Sequence, residues 1–150
     1  MPRAYGGEMA SKIGNIVFYA DNPVALAEFW AGVYQVEPAV FDGELREELL
    51  ASGLTEADLA NRGMVQDPSG ESPRLFFHHA TGPKQGRNRL HVDVQATPGR
   101  APTPEELNAE RDRLIELGAT VVRLIDQEWG PWGEHYYQMQ DPEGNEFCLQ

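Results

Sequence analysis

The sequence predicts an α+β fold built from two βαβββ units, and three observations carry that prediction. An Asp141-Pro-Glu-Gly144 turn feeds the short terminal run Glu146-Phe-Cys-Leu149, and a weaker copy of the turn, Asp67-Pro-Ser-Gly70, lies about half a chain length earlier. On either side of the polar segment Gly82 to Asn88, the hydrophobic pattern passes from strand to helix and then to three further strands. The composition, 41% hydrophobic and 24% charged, is that of a globular domain and not of a disordered chain. A chain of 150 residues buries roughly 68–70% of its unfolded surface, enough to hold a core without disulfide or metal.

Residues 1–12 contain no apolar signal core and read as a flexible leader. The first unit, about 13–81, opens with a strand from Gly14 to Ala20. Asp21-Asn22-Pro23 supplies a cap and a first-turn proline for the helix that follows. Leu26, Phe29, Trp30 and Val33 recur on one face of that helix, which ends near Tyr34. Val36 to Phe41 reads as a second strand, and Gly43 to Asn61 as a helical insertion with Thr55-x-x-Asp58 as a cap. Met64 to Gln66 and Arg74 to His79 complete the unit as strands joined by the Asp67 turn.

The second unit, about 88–150, repeats the order. Arg89 to Gln95 reads as a strand. Thr103-Pro-Glu-Glu106 combines a cap, a proline at the first helical position and a glutamate at the third, the capping-box pattern. The helix carries Leu107, Leu114 and Leu117 and stops at Gly118. Val121 to Ile125, Tyr136 to Gln140 and Glu146 to Leu149 are the remaining strands.

Several function classes are set aside. The single cysteine cannot form an internal disulfide and fits a reducing cytoplasm. A formal net charge of −12 weighs against nucleic acid or an anionic membrane as partner and gives mild support to a cationic ligand. No apolar run approaches the ~20 residues of a membrane span. Ser-His-Asp spacing, a phosphate-cradling glycine loop, Cys-x-x-Cys and His-Glu-x-x-His are all absent from the sequence.

With these elements in place, the chain resembles the vicinal oxygen chelate superfamily, which includes glyoxalase I, bleomycin-resistance proteins and extradiol dioxygenases. Within it the similarity is to glyoxalase-like domains of bacterial proteins. The matching stretches are Tyr19 to Trp30, Asn88 to Val94, Leu117-Gly-Ala119 and Asp141 to Leu149. The resemblance implies two βαβββ modules curled into a cup around a small-molecule ligand, and homodimers. It fixes the fold better than the reaction, because one fold hosts many chemistries.

Metal-dependent members of the superfamily carry His or Glu on inward strand positions, one near the start and one near the end of each module. Carried onto this chain, those positions fall at Gly14, at Phe76 or Phe77, at His91, and at Cys148 where relatives have Glu. One matching ligand in four implies that no native metal is bound. Zinc would nevertheless accept His91 and a Cys148 thiolate, with Glu146 on the same strand face as Cys148. Asp93 is expected to point away from His91, so the two are not expected to act as a pair.

The remaining candidates have competing readings. His91 is either a hydrogen-bonded, half-buried histidine or a ligand contact. Cys148 is either a small buried hydrophobe or a contact in the cup. Glu146 is a candidate general base whose pKa an apolar cup would raise. His78 and His79 point to opposite faces and cannot chelate together. On the seventh strand His135, Tyr137 and Met139 share one face and Tyr136, Gln138 and Gln140 the other; the sequence does not choose between them. Trp129 and Trp132, in a Gly/Pro loop, either grip an apolar ligand or cap the core edge. These readings predict a metal-independent protein that binds an apolar or aromatic molecule, with Trp129, Trp132, Phe76, His78, Tyr136 and Cys148 as contacts. The alternative is a lyase, isomerase or dioxygenase using His91 and Glu146, with or without a divalent metal.

Overall fold

The computed structural model describes residues 11–150, so the leader expected over 1–12 lies, apart from Ser11 and Lys12, outside the described residues. The first unit opens with β1 (Asn15–Ala20). Its alternation sends Ile16, Phe18 and Ala20 to the core and leaves Asn15, Val17 and Tyr19 on the open side. Asn22 caps α1 (Pro23–Tyr34) by accepting the Ala25 N–H at 3.1 Å, and Pro23 sits in the first turn. Leu26, Phe29, Trp30 and Val33 are buried, as the helical spacing predicts.

Val36 to Phe41, expected as a strand, forms none; it keeps a single ladder-like bond, from the Ala39 N–H to the Met64 carbonyl at 3.1 Å. Pro38 interrupts the run and has no N–H to donate. Two short helices follow, α2 (Gly43–Ala51) and α3 (Glu56–Ala60); α2 buries none of its residues. Next come β2 (Arg62–Val65), which starts two residues earlier than expected, and β3 (Arg74–His79). The first sheet has the order β1-β3-β2, with β1 parallel and β2 antiparallel to β3.

In the second unit the strand expected over Arg89 to Gln95 shortens to β4 (Asp93–Val94). Its pairing with the last strand still extends outward, through Cys148 N–H to the Val92 carbonyl at 3.1 Å and Ala96 N–H to the Gln150 carbonyl at 2.7 Å. Thr103 and Glu106 close the predicted capping box on α4 (Pro104–Leu117), and Gly118 ends it at φ 116. The next two strands outgrow the expectation. β5 (Thr120–Trp129) and β6 (Trp132–Gln140) form a long hairpin because Gly130, at φ 59, and Pro131 make a two-residue turn that lets pairing reach Trp129 and Trp132. The terminal β7 (Glu146–Leu149) completes a sheet of order β4-β7-β6-β5.

One aromatic core joins the units. Trp30 lies with its ring centroid 5.3 Å from Phe18 and 5.4 Å from Phe147. The terminal turn reinforces the join from two sides. Asp141 accepts the Trp30 indole N–H at 3.1 Å, and the Glu143 carboxylate accepts the N–H groups of Asp21 and Asn22 at 2.6 and 3.1 Å. The second turn of the duplicated pair therefore anchors the start of α1. No helix among the described residues is long and apolar enough to cross a membrane.

Candidate functional site

The packing sides of both sheets are spent on the core, and the opposite faces carry most of the candidate site residues. In the first sheet, cross-strand rows place Val17, Phe76 and Met64 together, and Tyr19, His78 and Arg62 together. Phe77 is in the core at 0% exposure, which leaves Phe76 as the open-face residue of that pair. In the second sheet one row runs Asp93, Cys148, Gln138, Arg123, and a second pairs Glu146 with Gln140. Burial of Tyr137 and Met139 settles the choice on β6: Tyr136, Gln138 and Gln140 face the open side.

Two adjoining clefts occupy this region. One, of about 510 Å³, lies between β1 and the segment after β3, lined by Val17, Tyr19, Lys84, Arg89, His91 and Glu146. The other, of about 320 Å³, lies over the second sheet, lined by Arg87, His91, Arg123, Gln138, Glu146 and Cys148. His91 and Glu146 belong to both.

Two expectations about these residues need correction. Asp93 does not point away from His91: residues two apart on an extended chain share a face, and Asp93 Oδ1 lies 3.2 Å from His91 Nε2. Nor is Glu146 a carboxylate with a raised pKa. Burial pushes it up, but the Asn88 backbone N–H at 2.9 Å and the Lys84 ammonium at 3.2 Å outweigh burial and hold it below the usual range. Through these bonds the Glu146 carboxylate ties the segment from Lys84 to Asn88 to β7. Burial pushes the Cys148 thiol up, the Asp93 carboxylate adds to this and Arg87 opposes it.

Charge is distributed unlike the chain average. Arg62, Arg74, Lys84, Arg87, Arg89 and Arg123 lie on the open faces or line the clefts, half of the 12 Lys and Arg in a chain of net charge −12. Arg62 contacts His78 at 3.2 Å, and Arg123 donates to the Gln138 side chain at 2.7 Å. Arg74 packs over the Phe76 ring at 5.9 Å, and its buried Nε has no hydrogen-bond partner. Sequence reading missed this clustering because the arginines are scattered along the chain; strand parity at 62, 74 and 123 was the available signal.

The sequence profile of the glyoxalase-like domain matches residues 15–150. The chain belongs to that family. No curated protein sequence matches it significantly. Among solved structures, it is similar to a glyoxalase/bleomycin resistance protein/dioxygenase family enzyme from Burkholderia phytofirmans PsJN, with 15% identity, 93% of this chain and 97% of the other covered, and a TM-score of 0.60. It is similar also to the fosfomycin resistance protein FosX from Listeria monocytogenes, at 14% identity, 95% and 91% coverage and TM-score 0.61. A mutant of that protein was solved with Mn(II) and 1S,2S-dihydroxypropylphosphonic acid. A possible glyoxalase from Bacillus cereus gives 15% identity, 94% and 99% coverage and TM-score 0.58. Identities this low establish the fold, and with the family match they place the chain in the vicinal oxygen chelate superfamily.

Among the described residues, two of the positions that the resemblance gives as metal ligands carry no oxygen or nitrogen side-chain donor, Gly14 and Phe76. Gly14 precedes β1, and the open-face residue at the start of that strand is Asn15. Phe76 has no donor at all. The donors that do converge are His91, Asp93 and Cys148, each offering one atom within 4.8 Å of the other two.

Trp129 and Trp132 line neither cleft. Their rings stack on each other, centroids 5.4 Å apart and 15° from parallel, at the tip of the β5–β6 hairpin. At 65% and 61% exposure, the pair contributes about 0.5–1.5 kcal/mol at most. A Trp129→Ser/Trp132→Ser double variant should therefore keep its unfolding temperature within a few degrees and retain the cleft's ligand affinity, as thermal shift and titration would show.

Proposed function

We propose that this glyoxalase-like protein binds a small organic anion with an apolar portion in the joined clefts. The supporting observation is the convergence of six basic side chains on the open faces and clefts. The cleft over the second sheet carries Arg87 and Arg123 against the single carboxylate of Glu146, which Lys84 and the Asn88 N–H already hold, so this cleft is locally basic although the chain is acidic. A cationic ligand, which the net charge of the chain favours, is the competing expectation. Arginine suits carboxylate and phosphonate groups because its planar fork donates two parallel bonds. Val17, Tyr19 and Phe76 supply an apolar surface beside the charges. Pairing of two chains, implied by the resemblance, belongs to the same reading.

The test is a thermal-shift and calorimetric screen of small aromatic carboxylates, phosphonates and amines of matched size. An anion at about 100 times its Kd should stabilise the fold by about 2.7 kcal/mol, a rise of roughly 5–10 °C. Arg123→Gln and Arg87→Gln should each weaken binding by about ten-fold, the loss of one charge-assisted contact. Stabilisation by the amines and not by the anions would sink the reading.

A second reading has its own support. The His91–Asp93 contact at 3.2 Å is the geometry in which a carboxylate orients an imidazole for proton transfer. In this reading the protein is an enzyme, with His91 as the proton-transfer group, Asp93 as its positioning residue and Glu146 outside the chemistry. A pH–rate profile whose limb moves in Asp93→Asn would distinguish it from simple binding.

A further inference from the structure

We infer that Glu146 is a positioning residue: it latches the inter-module segment 81–91, which lines both clefts, and so places the arginines that an anion would meet. The consequence for binding rests on the anion reading above; the latch itself does not. The segment has nothing of its own to hold it. Among the described residues, none from 81 to 91 gives or accepts a backbone–backbone hydrogen bond, and all of them but Asn88 are exposed. Gly86, at φ 69, turns the chain at the middle of the segment. A segment with neither ladder bonds nor burial lies at the low end of local stability and opens readily unless something ties it.

Glu146 is that tie. Its carboxylate accepts the Asn88 N–H at 2.9 Å and the Lys84 ammonium at 3.2 Å. Among the described residues these are the hydrogen bonds that join the segment to another element; the His91–Asp93 contact lies at its edge. The anchor is firm, because Glu146 pairs with Gln140 on β6 and its side chain is only 19% exposed. Lys84 also donates to the Gly86 carbonyl, which draws the loop around the same ammonium. Arg87 and Arg89 flank the tied Asn88 and enter different clefts, Arg87 the one over the second sheet and Arg89 the one beside β1. Fixing a loop in its binding geometry removes an ordering cost from the bound state. Simple electrostatics predicts the reverse: a carboxylate beside an anion repels it, and its removal would tighten binding. The two roles differ in the sign of the effect.

Limited trypsin digestion reads the latch with no ligand present, since Lys84, Arg87 and Arg89 lie within the segment. In Glu146→Ala, cleavage after Arg87 and Arg89 should be at least about ten-fold faster, the shift toward the open form expected when a charge-assisted bond is lost. Cleavage after Arg113, on α4, reports global unfolding and should keep its rate. Glu146→Gln, whose amide oxygen still accepts from Asn88, should fall between. Lys84→Met removes the ion pair from the loop side and decides the matter if the Glu146 variants do not fold. Binding is read with phenylphosphonate, which should bind about ten-fold more weakly to Glu146→Ala than to the wild type. Unchanged cleavage after Arg87 and Arg89, or faster cleavage there only together with Arg113, would overturn the latch. Equal or tighter binding of phenylphosphonate by a variant that opens faster would refute the positioning role. Wild-type protein that does not bind phenylphosphonate counts against the anion reading and the positioning role with it, while the digestion still decides the latch.

Discussion

Alanine at position 141 should cost the fold about 3 kcal/mol or more at neutral pH, lowering the unfolding temperature by roughly 6–12 °C for a domain of this size. Asp141 is 2% exposed. Its carboxylate accepts the Trp30 indole N–H at 3.1 Å, the backbone N–H groups of Glu143 and Asn145 at 3.0 and 2.9 Å, and the Asn145 amide at 2.9 Å. Truncation strands those donors, and the indole, inside a fully buried tryptophan, has no route to water. Burial pushes the Asp141 carboxyl above its ordinary range, against the pull of its Asn145, Trp30 and Glu143 donors. A carboxyl raised in the folded state contributes most below the unfolded pKa and loses that contribution as pH rises through the folded one. The deficit of Asp141→Ala should therefore narrow as pH rises above the ordinary carboxyl range, as paired thermal melts would show. Its counterpart Asp67 sits in the weaker copy of the turn, where its partners are Ser69 and Ser72 on the surface. The same replacement there should leave the melt almost unmoved.

That contrast explains which parts of the molecule could be read from the sequence. The two turns, the capped helices and the restart of the pattern after Asn88 are local chemistry, and local chemistry is written in adjacent residues. The aromatic stripe of α1 likewise needed only helical spacing. Most of the failures are matters of pairing. Val36 to Phe41 has strand-like residues but a proline where a ladder partner must donate. The β5–β6 hairpin grew because the Gly130-Pro131 turn permits tight pairing, although Trp129 and Trp132 looked like loop residues holding a ligand. Glu146 was placed on the right face, yet its partners Lys84 and Asn88 are 62 and 58 residues away, and they reverse the direction of its pKa. Asp93 was legible by counting alone: position 93 has the parity of position 91. The contact between them at 3.2 Å follows from that parity. Register and charge clustering belong to the folded chain, where residues distant in the sequence meet.

Gly63→Ala should also cost about 3 kcal/mol, and the reason lies in how β2 meets α1. A Cβ at position 63 would stand 2.5 Å from the Pro23 carbonyl oxygen and 2.7 Å from the Ala27 Cβ. Both obstacles are rigid, since one is helix backbone and the other is the first side-chain atom on it. Strand and helix must separate, and close-packed interiors resist that. Gly32→Ala provides the comparison within the same helix. Its added Cβ would meet the Leu117 Cδ1 at 2.9 Å, the far end of a flexible side chain that can rotate away. Helix propensity favours alanine over glycine by about 0.8–1.0 kcal/mol, so Gly32→Ala should be near neutral where Gly63→Ala is severe. Chemical denaturation of the two variants separates them. Position 63 also reaches the site, because its strand neighbours Arg62 and Met64 present the open face on the opposite side of β2. Pushing β2 off the helix shifts Arg62 from His78, the contact they hold at 3.2 Å. Anion affinity should therefore fall in Gly63→Ala even under conditions where the variant is fully folded, while Gly32→Ala keeps it. Equal affinities in the two folded variants would mean that the first sheet's arginines play no part in binding, leaving the cleft over the second sheet to act alone.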